Sequence, residues 1–173
     1  MGEQLVATAP NQILHFDFVC IGKGKKGMVY ILVLRCGFSS MVELVPCTEA
    51  TAEICAEALL QWFSRYGTVK HWVSDQGPHF KNLVIDAVRR ATKVQHHFVT
   101  PYAPWANGYV ERVNREILRV LRALISENMM SLEDWPFLVT IVQSVINQTP
   151  TERLGNHSPV QVMTGLIPDH VLD

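Results

Sequence analysis

Three β-rich apolar runs, Ile13 to Ile21, Met28 to Cys36 and Met41 to Cys47, follow one another before any helical period begins. Consecutive strands with short connections form a meander, so the chain must build a sheet first and cover it afterwards. The cover comes next. From Thr48 to Tyr66, Ala52, Ile54, Cys55, Ala58, Leu59, Trp62 and Phe63 recur at helical spacing, with Thr48 or Thr51 able to cap and Gly67 to stop the helix. Val69 to Ser74 then reads as a strand, Phe80 to Thr92 as a helix and Val94 to Val99 as a strand, followed by helices near Gly108 to Glu127 and Leu132 to Asn147. The order β-β-β-α-β-α-β with trailing helices predicts a mixed α/β layered domain in which helices flank a central sheet. Residues 1–11 read as an irregular N-terminal segment and 12–149 as the core. Residues 150–173, with Gly155, Pro159, Gly165 and Pro168, read as an irregular extension.

At 173 residues and 48% hydrophobic content the chain suits one globular domain. Its longest apolar run, Met28 to Leu34, is far short of the roughly 20 residues that span a bilayer, and no apolar leader follows Met1-Gly2. The expectation is a soluble protein with no membrane partner. Cys20, Cys36, Cys47 and Cys55 lie far apart without a CxxC pair and read as reduced thiols, not as a zinc site. A net charge of −1 argues against gripping nucleic acid by bulk electrostatics. The charge is uneven, however: Arg89 to Arg122 holds seven Lys or Arg against two acids, and any nucleic-acid surface belongs there.

Gly22-Lys23-Gly24-Lys25-Lys26-Gly27 matches GxGxxG after a strand, but the fingerprint needs a helix N-terminus next to receive a pyrophosphate. A strand follows instead, and neither Lys-Ser nor Lys-Thr follows Gly27. A flexible lysine-rich hairpin turn is the better reading.

The acids are more informative. Asp17 sits within His15-Phe16-Asp17-Phe18-Val19, where an unpaired carboxylate is costly to desolvate. Alternation puts His15, Asp17 and Val19 on one face and Phe16 and Phe18 on the other. Asp75 ends the strand Trp72-Val73-Ser74, at the carboxyl end where sites in α/β sheets concentrate, and Gly77 permits a sharp turn or close approach. Glu111 lies one turn into the helix after Asn107-Gly108. Two aspartates and a glutamate from three elements suit hard cations such as Mg²⁺ or Mn²⁺. Two such ions, roughly 3.5–4 Å apart, support in-line displacement at phosphate. Taken singly, Asp75 also reads as a turn residue and Glu111 as an exposed helix charge.

The acids stand in longer motifs: His15-Phe16-Asp17-Phe18, Val73-Ser74-Asp75-Gln76-Gly77-Pro78-His79-Phe80, and Thr100-Pro101-Tyr102-Ala103-Pro104-Trp105-Ala106-Asn107-Gly108-Tyr109-Val110-Glu111-Arg112-Val113-Asn114. Together, with thirty-five residues between Asp75 and Glu111, they resemble the integrase core of long-terminal-repeat retrotransposons, most closely the Ty3/gypsy type, within the retroviral integrase superfamily. Trp135, Asn147, Ser158-Pro159, Gly165 and Pro168 are similar to that family's C-terminal stretch, so the resemblance runs from about Pro10 to Pro168. It implies a ribonuclease-H-like fold with a five-stranded mixed sheet. It also implies a polynucleotidyl transferase and endonuclease that trims the 3′ ends of element DNA and joins them to target DNA. Asp17, Asp75 and Glu111 match the family's catalytic, metal-binding positions for Mg²⁺ or Mn²⁺, two ions in all. Ala103, Trp105 and Ala106 depart from the family's commoner His, Gln and Ser, so DNA contacts by those side chains do not carry over. Trp105 is left to pack on the core or stack on a base.

With Glu111 at zero and ~100° per residue, Arg122, Arg115 and Arg119 fall near 20°, 40° and 80° and Asn114 near 300°. Val113, Ile117, Val120 and Leu124 cluster at about 180–240°. One face of this helix is core. The other is basic beside the carboxylate, which suits phosphate positioning by Asn114, Arg115, Arg119 and Arg122, with His79 assisting near Asp75. A solvated basic face is the bland alternative. Of His96 and His97, alternation lets at most one face the core, and neither has a partner at zinc spacing. A ribonuclease H would share fold and metals, with Glu49, Glu53 and Glu57 on its first helix as candidates, but the motifs at Asp75 and Glu111 weigh against it. The other alternative is a domesticated, non-catalytic DNA- or protein-binding module. The resemblance further implies a homo-oligomer, at least a dimer, acting in the nucleus.

Overall fold

The computed structural model describes residues 5–99 and 104–168, with the backbone alone for 104–110. Strands β1 (Ile13–Cys20), β2 (Tyr30–Cys36) and β3 (Val42–Cys47) precede helix α1 (Ala52–Tyr66). Strand β4 (His71–Ser74), helix α2 (Leu83–Thr92), strand β5 (Gln95–Phe98) and helices α3 (Pro104–Glu127), α4 (Trp135–Gln148) and α5 (Pro159–Thr164) follow. The strands form one sheet in the order β3-β2-β1-β4-β5, antiparallel across β1, β2 and β3 and parallel across β1, β4 and β5. This is the expected five-stranded mixed sheet.

Alternation sorts the core into two layers. Leu14, Phe16, Leu32 and Leu34 face Cys55, Ala58, Leu59 and Trp62 of α1 and Ile85 of α2. Ile31, Val33, Val42 and Leu44 face Val113, Ile117 and Leu121 of α3 and Leu138, Val142 and Ile146 of α4. Burying apolar side chains on both faces explains why β2 reads as a continuous hydrophobic run.

Helix α1 begins where Thr51 accepts the Ile54 N–H (3.4 Å) and ends at Gly67, whose φ of 79° favours glycine. Helix α2 starts at Leu83 rather than Phe80, because the Asn82 side chain accepts from the N–H groups of Val84 and Ile85 and Phe80 is drawn into the core. Two further expectations are corrected. The 22–27 connection is docked, not loose: Gly24 lies so close to the Trp135 indole that a Cβ would fall 2.4 Å from Nε1. Lys23 and Lys25 also pair with Glu133 (3.2 Å) and Asp134 (2.7 Å). The stretch after Thr149, read as irregular, contains α5, stabilised by a capping box between Ser158 and Gln161, Pro159 in its first turn and Gly165 at its end.

Asn147, buried within α4, reaches the edge strand β3. Its amide donates to Val42 O and accepts from Val42 N–H, both at 2.8 Å, and one turn earlier Gln143 accepts the Leu44 N–H at 2.7 Å. Asn147→Leu strands both Val42 groups. It should lower stability by about 2–4 kcal/mol, seen as a reduced urea midpoint with an unchanged slope; a midpoint equal to wild type would mean that other groups satisfy this edge.

Candidate active site

The parallel register between β1 and β4 pairs Ile13 with His71, Leu14 with Trp72 and His15 with Val73. Two residues further along, the same register sets Asp17, midway along β1, opposite Asp75 just past the carboxyl end of β4. Asp17 faces the α3 side, half-buried in a crevice lined by His15, Val33, Arg35, Val113 and Asn114. Burial pushes its carboxyl up to about 6, and the negative charge of Asp75 adds to the rise against an opposing backbone hydrogen bond at Phe18. His15, behind it, is held neutral: burial and then the charge of Arg35 lower its pKa to about 4.

Asp75 is exposed just beyond β4, and its Oδ1 accepts the Gly77 N–H at 2.8 Å. The absence of a side chain at Gly77 lets both neighbours approach, since a Cβ there would lie 2.7 Å from His79 Nε2 and 2.9 Å from Asp75 Oδ1. His79 stands edge-on to Phe18 (ring centroids 5.1 Å apart) and Phe80 (4.2 Å), which fixes its imidazole beside the aspartate. The structure thus brings Asp17, Asp75 and His79 to one end of the sheet.

Glu111 is exposed on α3, one helical turn before Asn114. Among the described residues no group of three His, Cys, Asp or Glu side chains is close enough to hold a metal ion, so Glu111 does not join the two aspartates in one cluster here. Asn114 turns inward toward Asp17, unlike its arginine neighbours, and its Oδ1 is buried without a hydrogen-bond partner among the described residues. Arg115, Arg119 and Arg122 are exposed, opposite buried Val113, Ile117 and Leu121. The Trp105 side chain lies outside the described residues.

Sequence reasoning left His96 unassigned. It packs against Phe16 and Trp72 and lies 2.8 Å by Nε2 from the Ser74 hydroxyl, which donates to Asp75 O at 2.9 Å. His97 takes the opposite face and meets His71, Nε2 to Nδ1, at 3.0 Å. Strand alternation predicts this division between the two histidines, but the Ser74 link depends on the β4–β5 register, in which Trp72 pairs with His96.

The raised Asp17 carboxyl has a measurable consequence. A pKa of about 6 when folded, above the unfolded value, means that the folded chain holds this proton more tightly. The stability it contributes is complete below the unfolded pKa and is lost as pH rises through the folded one. In metal-free buffer Asp17→Asn should be more stable than wild type at pH 8 by about 2 kcal/mol, and the gap should close by about pH 4. Equal urea midpoints at pH 8 would show that the carboxylate carries no such penalty.

The integrase core domain profile matches residues 7–104. The Gag-Pol polyprotein of feline leukemia virus is 33% identical over 162 residues, covering 92% of this chain and 9% of that protein. The chain therefore spans about a tenth of the length of the Gag-Pol polyproteins it matches. Among solved structures, a chain of the simian T-cell lymphotropic virus intasome in complex with PP2A regulatory subunit B56 gamma superposes with a TM-score of 0.81 at 20% identity, over 98% of this chain and 61% of that one. The HTLV-2 integrase catalytic core domain in complex with magnesium, in a trimeric form, superposes with a TM-score of 0.73 at 22% identity, over 90% and 98%. The architecture is ribonuclease-H-like, as the motifs imply. With its profile matched across more than half the sequence and a retroviral relative aligned along nearly all of it, this chain belongs to the integrase core domain family.

Proposed function

We propose that this domain performs metal-dependent DNA 3′-end processing and strand transfer as the catalytic core of a retroelement integrase. The observation that carries the reading is the placement of Asp17 on β1 opposite Asp75 just beyond the parallel strand β4, where the charge of Asp75 adds to the cost of ionising Asp17. Such an all-oxygen donor set fits a hard divalent cation, and Asp17 and Asp75, joined by Glu111, are the residues that would hold Mg²⁺ or Mn²⁺. Bound there, two such ions supply Lewis-acid activation at the phosphate and neutralise charge in the displacement.

The protein's own groups do the rest. Neutral His15 and half-buried Asn114 shape the crevice that orients Asp17, while the Gly77 N–H holds the Asp75 carboxylate. The exposed face of Arg115, Arg119 and Arg122 positions DNA phosphates of element ends and target, and His79 borders the path to Asp75. Action in the nucleus belongs to the same proposal and rests on the family alone. A second reading, a DNA- or protein-binding module without turnover, draws on the lack of a three-ligand cluster among the described residues.

Self-association belongs to the same reading. Phe137, Ile141 and Val145, spaced four residues apart on α4, are 50%, 48% and 41% exposed, a continuous apolar stripe that a second copy of the chain can cover. Ile141→Glu should shift the sedimentation profile to monomer with the circular dichroism spectrum unchanged; an unaltered profile would place the contact elsewhere.

The activity test is Mn²⁺-dependent strand transfer, and its reversal on branched DNA. Asp75→Asn should reduce the rate by more than about 100-fold, since losing a direct ligand exceeds the loss expected for an outer-shell partner. Joining by wild type that the variant loses supports the integrase reading. Equal rates would overturn the site, and a folded wild type that binds DNA without joining it would favour the module.

A further inference from the structure

We propose that His96 is a positioning residue for Asp75, holding through Ser74 the backbone from which that carboxylate projects; the inference rests on Asp75 being a metal ligand.

The proton inventory sets the direction of the link. Ser74 Oγ lies 2.9 Å from Asp75 O and 2.8 Å from His96 Nε2. A carbonyl oxygen can only accept, so the single hydroxyl proton of Ser74 is committed to Asp75 O, and toward the imidazole Ser74 can only accept. With both contacts made as hydrogen bonds, His96 carries its proton on Nε2. The resulting chain runs from Nε2–H to Oγ–H to the Asp75 carbonyl, with each donor used once. Phe16, Trp72 and Phe98 surround the imidazole, with ring centroids 5.5, 5.8 and 4.1 Å away, and Ser74 is buried. Water is poorly placed to substitute for either donor. Burial, with the nearby charge of Arg89 and then His97, keeps the ring neutral by lowering its pKa to about 4, consistent with one N–H.

The link matters because of where the ladder stops. The Val99 N–H bonds to Ser74 O at 2.8 Å, and Asp75 lies one residue beyond that bond. Its carbonyl is held by Ser74 and its carboxylate by the Gly77 N–H, so the residue is clamped at both ends without being part of the strand. Losing the first clamp frees the backbone rotation that aims the second. A side chain that merely fills space would not do this.

Three measurements on the 173-residue chain test the idea. In ¹⁵N-resolved spectra of the histidine rings, His96 should show a protonated Nε2 and a bare Nδ1; the opposite tautomer would overturn the proposal even if every variant failed to fold. His96→Phe keeps an aromatic ring but removes the donor, whereas His96→Gln keeps an N–H near the Nε2 position. The Phe variant should bind Mn²⁺ about tenfold more weakly, the lower end expected for an outer-shell partner, with turnover falling while KM for DNA holds. The Gln variant should recover most of the affinity, and Ser74→Ala combined with His96→Phe should be no worse than the weaker single variant. Mn²⁺ affinity in His96→Phe equal to wild type, or additive losses in the double variant, would overturn the role of His96. Asp75→Asn separates the two layers: if it binds Mn²⁺ as tightly as wild type, the metal-ligand reading fails and this inference with it. If only Asp75→Asn loses affinity, the inference alone fails.

Discussion

The parallel pairing of β1 with β4 is the constraint on which the rest depends. Strand β1 is antiparallel to β2 on one side and parallel to β4 on the other, so it is the seam between the meander and the alternating half of the chain. A parallel neighbour requires a crossover, which α1 supplies from one face of the sheet. The same pairing sets the middle of β1 beside the carboxyl end of β4. The two aspartates meet because the strands do, and no local property of either segment would bring them together.

Much of this was legible in the sequence, for physical reasons that differ by element. The strands of the meander and the apolar face of α1 could be read because burial repeats at fixed periods, and burial dominates the energetics of a mixed sheet. Asp17 stood out because a charge inside an apolar run needs compensation, and the structure shows the cost as a raised carboxyl pKa. The start of α2 differs from the sequence expectation because the apolar pattern from Phe80 begins before the helix does, whereas the start signal is the side-chain oxygen of Asn82. Helix α5 was hidden behind its glycines and prolines. The S-x-x-Q spacing of Ser158 and Gln161 was the available clue, because a capping box specifies a helix start whatever surrounds it.

The residues that were not legible act through register. Ser74 and His96 are unremarkable in their own segments and meaningful only when β4 and β5 align to bring imidazole and hydroxyl within 2.8 Å. Asn114 fell on the edge of a basic stripe by angle, yet its side chain turns to the crevice of Asp17 while Arg115, Arg119 and Arg122 stay in solvent. A helical wheel gives direction around one axis, but the depth at which a side chain stops depends on the neighbour it meets. Trp135 and Asn147, first noticed as parts of a motif, have structural work: the indole packs on Gly24 and donates to Gly22 O at 3.2 Å, and the amide bonds the β3 backbone.

That amide contact also governs how copies of the chain can meet. Residues 42, 44 and 46 alternate along the outer rim of β3, and none offers a usable backbone donor to an incoming strand. The Val42 and Leu44 N–H groups are occupied by Asn147 and Gln143, and Pro46 has none. Sheet extension into a fibre or a swapped strand is closed on this side of the molecule. Whatever another chain does at this rim, it has to do through side chains, and a contact made that way is one that can be undone.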